Sequence, residues 1–112
     1  MNCCNNLNRQ LATINERLTE DVVTTVNVSS SSTTILNANA NRRIVKIYAL
    51  SLSLPSAEIW IRYGSGATLV NSAHPLPLRN LLIIDSAQAA NVISAICTAG
   101  SASVRVSSAE KV

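Results

Sequence analysis

The stretch that decides the fold of this 112-residue chain is residues 36–66, LNANANRRIVKIYALSLSLPSAEIWIRYGSG. In its second half, the apolar side chains of residues 57–63 alternate with Glu58, Trp60 and Arg62. Side chains that change face at every residue have the period of a β-strand and not that of a helix. Residues 57–63 are therefore predicted to form a half-buried strand.

The first half of the stretch is predicted to form a longer strand. Its apolar residues also alternate with polar ones, but the parity flips between Tyr48 and Leu50. Such a flip indicates a β-bulge or a strand that is buried on both faces. Because only a Pro-Ser break separates this strand from the next, we predict that the two form a hairpin-like pair.

Composition places the chain among single-domain proteins with little surface charge. Hydrophobic residues make up 47% of the chain and charged residues only 13%. Free globular domains carry about 25% charged residues. We therefore expect copies of the chain, or a partner protein, to cover much of its surface.

Several partner classes are not expected. The net charge is +3, and only Arg42, Arg43 and Lys46 lie close together among the basic residues, which is too few for a nucleic-acid footprint. The first 20 residues lack the apolar core of a secretory signal, and no run of 18 apolar residues predicts a membrane span. We expect neither nucleic-acid nor membrane partners, and we expect synthesis in a cytoplasm.

The N-terminal segment is the one predicted α-helix, over residues 5 to about 20. A single apolar stripe with spacings of 4, 3 and 4 runs along it, formed by Leu7, Leu11, Ile14 and Leu18. Two interpretations stay open for this stripe. It is either an oligomer interface, in which the branching of these residues favours more than two strands, or the face of a helix lying on its own sheet. We assign residues 1–21 to a helical arm and residues 22–112 to a β domain.

The rest of the chain is predicted to be β. Proline at positions 75 and 77 limits residues 75–78 to a sheet edge or a crossover. A turn is predicted at residues 64–66, before residues 67–70. In the last strand, the side chains predicted to point inward are Ala102, Val104 and Val106. Residues 108–112 are predicted to form a frayed tail. Further strands are predicted at residues 22–28, 33–36, 81–84 and 92–97. About seven or eight short strands with one N-terminal helix predict an antiparallel β-sandwich or jelly roll.

No catalytic or metal site is expected. Cys3 and Cys4 are interpreted as free thiols near the terminus, and Cys97 as a small core residue. His74 is interpreted as an ordinary loop histidine, because no carboxylate or cysteine lies near it in sequence to orient it as a base. The six carboxylates are dispersed along the chain. We predict a protein that is not an enzyme and has no cofactor.

Four motifs in order carry a resemblance to a known family. They are residues 35–43 leading into an aliphatic strand, Ile59-Trp60-Ile61-Arg62-Tyr63-Gly64, the proline-leucine segment at residues 76–78, and residues 93–106 through Gly100. In this order and spacing the chain resembles small virion proteins of tailed bacteriophages and cyanophages that decorate the capsid with a β-sandwich or jelly-roll head. The resemblance covers about two thirds of the chain.

That resemblance implies a function. A decoration, or cement, protein of this kind binds the outer surface of an icosahedral head and clamps neighbouring copies of the major capsid protein, commonly as a homotrimer. Its location would be the capsid exterior. We take Leu7, Leu11, Ile14 and Leu18 as the oligomer interface, and Arg42, Arg43 and Trp60 as weaker candidates for capsid contact. The alternatives are a carbohydrate-binding or host-attachment module, resting on Trp60 and Tyr63, and a neck or tail connector.

Overall fold

A computed structural model describes residues 18–111 of the chain. Eight β-strands and one short 3₁₀ helix, Ala87–Ala90, are present within these residues. The strands are β1 (Val22–Ser29), β2 (Thr33–Leu36), β3 (Arg42–Leu52), β4 (Ile59–Tyr63), β5 (His74–Leu76), β6 (Leu81–Ile84), β7 (Ile93–Cys97) and β8 (Ser101–Glu110).

The eight strands form two four-stranded sheets. The strand order is β1-β8-β3-β6 in sheet 1 and β2-β7-β4-β5 in sheet 2. Every pair of neighbours is antiparallel. The predicted β-sandwich is confirmed, and its strand count matches the expectation. None of the helices among residues 18–111 has the length and apolar character needed to cross a bilayer.

The core lies between the two sheets and follows from the alternation of each strand. From sheet 1, Ile47 and Val104 are fully buried, and from sheet 2 so are Ile59, Ile61 and Ile93. Residues of the opposite parity point outward, since successive side chains of a strand leave opposite faces. The predicted inward face of β8 is confirmed, because residues 102, 104 and 106 are all buried.

The central stretch is partly as predicted. The bulge in β3 is confirmed, because its pairing with β8 shifts register between Ala49 and Ser51. The predicted hairpin is wrong, because β3 lies in sheet 1 and β4 in sheet 2. A turn in which the Ala57 N–H donates to the Leu54 carbonyl (3.0 Å) carries the chain between the sheets. The apolar faces of the two strands therefore belong to opposite walls of one core.

The two ends of the β domain pair with each other. Leu18 forms an antiparallel bridge with Lys111, and the Thr19 N–H donates to the Glu110 carbonyl at 2.8 Å. The predicted helix is therefore wrong for residues 18–20, and its remainder, with Leu7, Leu11 and Ile14, lies outside the described residues. The predicted frayed tail is also wrong for residues 108–111, because strands on both sides pair with the end of β8.

Candidate functional site

The outward face of sheet 1 carries a shallow groove, which we call the outer groove, of about 280 Å³. Four strands meet there in register: Val23 of β1 lies opposite Ser107 of β8, Ser107 opposite Lys46 of β3, and Lys46 opposite Ile83 of β6. The next row holds Thr25, Arg105, Tyr48 and Leu81. Val23, Lys46, Tyr48, Leu81, Arg105 and Ser107 line the groove, with Asp21 at its rim.

The two sides of the outer groove are apolar. Val23 is 56% exposed on edge strand β1, and Leu81 and Ile83 are 53% and 55% exposed on edge strand β6. Contiguous apolar side chains on an outer face are a common mark of an interaction surface. Polar residues occupy the floor between them.

The floor of the outer groove is cationic but offers no catalytic arrangement. Lys46 Nζ lies 4.0 Å from Asp21 Oδ2, and both side chains are about half exposed to solvent. An ion pair as open as this contributes about 0–1 kcal/mol. Within residues 18–111, no group of three or more His, Cys, Asp or Glu side chains could hold a metal ion.

Arg42 is a structural residue and not the surface contact that the sequence predicted. Its side chain is 5% exposed, with Nε donating to the Ala89 carbonyl, Nη1 to Asn37 (2.9 Å) and Nη2 to Asn91 (2.7 Å). Burial lowers the pKa of the guanidinium, and the nearby Glu110 carboxylate acts in the opposite direction. Arg42 therefore ties two loops together at one end of the sandwich and is removed from the capsid-contact candidates.

The other two contact candidates are half-buried. Arg43 Nη1 donates to the Ala40 carbonyl at 2.8 Å. Trp60 lies on the outward face of sheet 2, with Pro75 of β5 and Ile96 of β7 as its cross-strand neighbours. Cross-strand neighbours on one face of a sheet are close enough to interact, so the indole has an apolar neighbour on each side. Nothing in this placement tests either residue as a capsid contact, and both stay predictions.

His74 has a partner that the sequence did not reveal. It begins strand β5 and does not lie in a loop, as was predicted. Its Nε2 lies 3.0 Å from the Tyr63 hydroxyl, and its Nδ1 lies 3.2 Å from the Pro75 carbonyl. Because a carbonyl can only accept, Nδ1 is the donor in its contact with Pro75, and the Tyr63 hydroxyl is the partner of Nε2.

This pair joins two neighbouring strands, because Tyr63 ends β4 and His74 begins β5. Burial raises the pKa of Tyr63. The ten residues between Tyr63 and His74 include the loop after β4, so no local pattern could have paired them.

Of the three cysteines, the described residues include Cys97. Cys97 is 1% exposed, and its Sγ lies 3.1 Å from the Ala99 carbonyl, so it is a core residue as predicted. Cys3 and Cys4 lie outside the described residues, as do Leu7, Leu11 and Ile14. Leu18, the last member of the predicted stripe, is 37% exposed in its bridge to Lys111.

No protein-family profile matches the sequence, and no curated protein matches it either. Two solved structures are similar in fold. One, described as "Bacillus endospore appendages form a novel family of disulfide-linked pili", has a TM-score of 0.55 at 10% identity, over 87% of this chain and 90% of that one. The other is IMPa from Pseudomonas aeruginosa in complex with an O-glycopeptide, with a TM-score of 0.53 at 12% identity. The second match covers 86% of this chain but only 13% of that one.

Proposed function

We propose that this chain is a structural subunit that joins copies of itself into a fibre, with disulfide bonds from Cys3 and Cys4 linking the copies. The observation that carries the proposal is the fold match to the endospore appendage subunit, which spans nearly the whole of both chains. That protein forms disulfide-linked pili. A vicinal cysteine pair near the N-terminus gives this chain the means for the same kind of link.

The intermolecular bonds are assigned to Cys3 and Cys4 because Cys97 is buried. A disulfide requires Cα atoms about 4.4–6.8 Å apart, so a partner backbone would have to enter the sandwich to reach Cys97. Two thiols per copy outside the sandwich are sufficient for a fibre, since each copy can then bond to two others. The presence of Cys3 and Cys4 in one short segment places both bonds outside the β domain.

An exposed sheet edge also supports assembly. Among residues 18–111, strand β1 pairs with β8 alone, and its eight residues, VVTTVNVS, include no charge and no proline. Proteins that stay monomeric usually protect such an edge with lysine, proline or a very short strand. At the other edges, β2, β5 and β6 have only three or four residues, and β5 contains Pro75. A long unprotected edge is expected in a subunit that other copies cover.

The test compares the full chain with two cysteine variants under oxidising conditions. We expect the wild-type chain to give a ladder of disulfide-linked multimers on a non-reducing gel, and fibres by negative-stain electron microscopy. The double variant Cys3→Ser/Cys4→Ser should migrate as a single chain. The matched control Cys97→Ala should retain the ladder.

Two outcomes would change the proposal. A wild-type chain that shows neither ladder nor fibres after oxidation would refute it. A ladder that is lost in Cys97→Ala but kept in Cys3→Ser/Cys4→Ser would move the link to the sandwich and contradict the assignment of the thiols.

Capsid decoration is a second candidate, supported by the strand order. The orders β1-β8-β3-β6 and β2-β7-β4-β5 are those of an eight-stranded jelly roll, a form used by viral capsid and lectin domains. In this role a homotrimer would bind the major capsid protein on the outside of a phage head. Binding only to the assembled lattice would stabilise it by about 4 kcal/mol per site at a thousandfold excess over Kd.

The native mass under reducing conditions separates the two candidates. Light scattering on the full chain should give a closed trimer if capsid decoration is the function, whether or not an oxidant is present. A mass that grows without limit, and that oxidation fixes in covalent form, would favour the fibre.

A further inference from the structure

The N-terminal segment joins the β domain at one end of the outer groove. The chain enters the described structure at Leu18, which is bridged to Lys111, and three residues later Asp21 lines the groove. Residues 1–17 are therefore attached where β8 ends. The Arg42 contacts hold the loops of this same end in place.

The apolar stripe of this N-terminal segment needs a surface on which it can be buried. With Leu18 taken up in the bridge, Leu7, Leu11 and Ile14 remain on one side of the predicted helix. A helix over residues 5–17 would be about 20 Å long and, alone in water, would be marginally stable. It therefore needs an apolar partner to be stable.

The outer groove matches such a helix in width. Three strand spacings of about 4.8 Å place the apolar sides on β1 and β6 about 14 Å apart, and a helix with its side chains is about 10–12 Å wide. Val23, Leu81 and Ile83 would contact the flanks of the stripe. The ring of Tyr48 and the aliphatic stem of Lys46 offer further apolar contact from the floor.

The direction of the backbone favours a second copy over the chain's own groove. From Val22 back to Leu18 the chain follows β8 from Ser108 to Lys111, so residues before Leu18 head past this end of the sandwich. To reach its own groove, the segment would have to reverse direction next to a stretch that is held extended. Seventeen residues can span roughly 26 Å as a helix and about 56 Å when extended, compared with a longest molecular dimension of 47 Å. A neighbouring copy is therefore within reach.

We propose that the outer groove binds residues 5–17 of a second copy of this chain, with the stripe of Leu7, Leu11 and Ile14 facing it. The inference rests on the proposed function, because it supplies the non-covalent contact that precedes the disulfide bonds of Cys3 and Cys4. Each copy then carries both binding partners, the segment of residues 5–17 at one end and the outer groove that binds the same segment of another copy.

The experiment traps the contact between two different full-length variants, both carrying Cys3→Ser and Cys4→Ser. One variant carries Ile14→Cys in the stripe, and the other carries Ile83→Cys at the side of the groove. A matched control replaces the second variant with Val70→Cys, whose side chain is 97% exposed in the loop after β4. Because Val70 is more exposed than Ile83, random collision favours the control.

We expect the mixed disulfide between the Ile14→Cys and Ile83→Cys variants to form at least about tenfold faster than that of the control mixture, because docking raises the effective thiol concentration. Leu11→Cys provides a second trap, in case the substitution at residue 14 itself weakens docking. Equal rates in the groove and control mixtures, for both traps, would refute the inference.

A chain carrying both Ile14→Cys and Ile83→Cys tests the alternative of docking on the same copy. An intrachain disulfide that forms in dilute solution, without mixed dimers, would overturn docking between copies. The two proposals can fail separately. If the wild-type chain gives its oxidised ladder while neither trap forms, the fibre stands and the docking surface is wrong.

Discussion

Replacement of Arg42 by methionine should destabilise the protein by about 3 kcal/mol. The three guanidinium nitrogens donate to the carbonyls of Asn37, Ala89 and Asn91, and hydrogen bonds from a charged group contribute about 1.5–3 kcal/mol each. Methionine removes all three while keeping an unbranched apolar stem in the same space. The carbonyls then lose their donors at one end of the core.

Two opposing effects set that magnitude. Loss of three donors from charge-assisted bonds would by itself cost roughly 5–9 kcal/mol. Removal of a buried cation returns several kcal/mol, because the charge no longer has to be taken out of water. The loss of the three hydrogen bonds is the larger effect, because their carbonyl acceptors are left unpaired. The net loss in the free energy of unfolding is therefore about 3 kcal/mol. For a domain of about 95 residues, this corresponds to a fall in Tm of roughly 15 °C.

The assay is urea denaturation followed by the fluorescence of the single tryptophan, Trp60. Arg105→Met on the outer face is the matched control, and its free energy of unfolding should stay within about 0.5 kcal/mol of the wild-type value. Arg42→Lys should fall between the two, because it keeps the charge but cannot reproduce the planar fork. If Arg42→Met costs no more than Arg105→Met, then water replaces the guanidinium and the structural role assigned to Arg42 is wrong.

Two further predictions concern the turns and the buried tyrosine. Urea denaturation should show that Gly100→Ala lowers the free energy of unfolding by about 3 kcal/mol and Gly66→Ala by only about 1 kcal/mol. Both glycines have a positive φ, but only at Gly100 would a Cβ meet neighbouring side chains. Equal losses for the two variants would contradict this contact. Burial raises the pKa of Tyr63, so its contribution to stability is present below about pH 10 and is lost as the pH rises through the folded-state value. Tm measured from pH 9 to pH 11 should therefore fall less for Tyr63→Phe than for the wild-type chain, and parallel curves would be evidence against the effect.

The sequence predicted those features that depend on alternation along one strand. The inward face of β8 and the bulge in β3 both follow from the alternation of apolar and polar residues in the sequence. A side chain on the wrong face of a half-buried strand would expose an apolar group or bury a polar one. Burial of Cys97 follows from the same rule applied to β7. Local parity therefore identified the inward side chains of these three strands.

Alternation does not determine which strands pair. The turn between β3 and β4 has the sequence of a hairpin turn, but it carries the chain from one sheet to the other. Two strands bury the same apolar faces whether they lie in one sheet or in facing sheets. Alternation therefore cannot distinguish the two arrangements. Arg42 shows the same limit. It stands beside Arg43 in a polar stretch, and it is buried only because the 3₁₀ helix Ala87–Ala90, more than forty residues away, closes over it.

The outer groove could not be predicted for the same reason. Its residues come from four strands, and Lys46 and Arg105 are almost sixty residues apart in sequence. The alternation within each strand predicts only that the charged side chain is exposed to solvent. Only the register of β8 between β1 and β3 brings these side chains together on one face.

The contact proposed between a segment and a groove also bears on the choice between a fibre and a closed trimer. Such a contact joins different surfaces on the two copies, so it is heterologous and repeats until its rotation closes a ring or continues as a filament. Leu18 enters the sandwich beside the end of β8, whereas the outer groove lies on the face of sheet 1, so the two halves of the proposed contact are different surfaces of one copy. A rise along the rotation axis between successive copies would make the assembly an open fibre, whereas a closed trimer has no rise. In the fibre, the disulfide bonds of Cys3 and Cys4 would fix a contact that the groove has already formed.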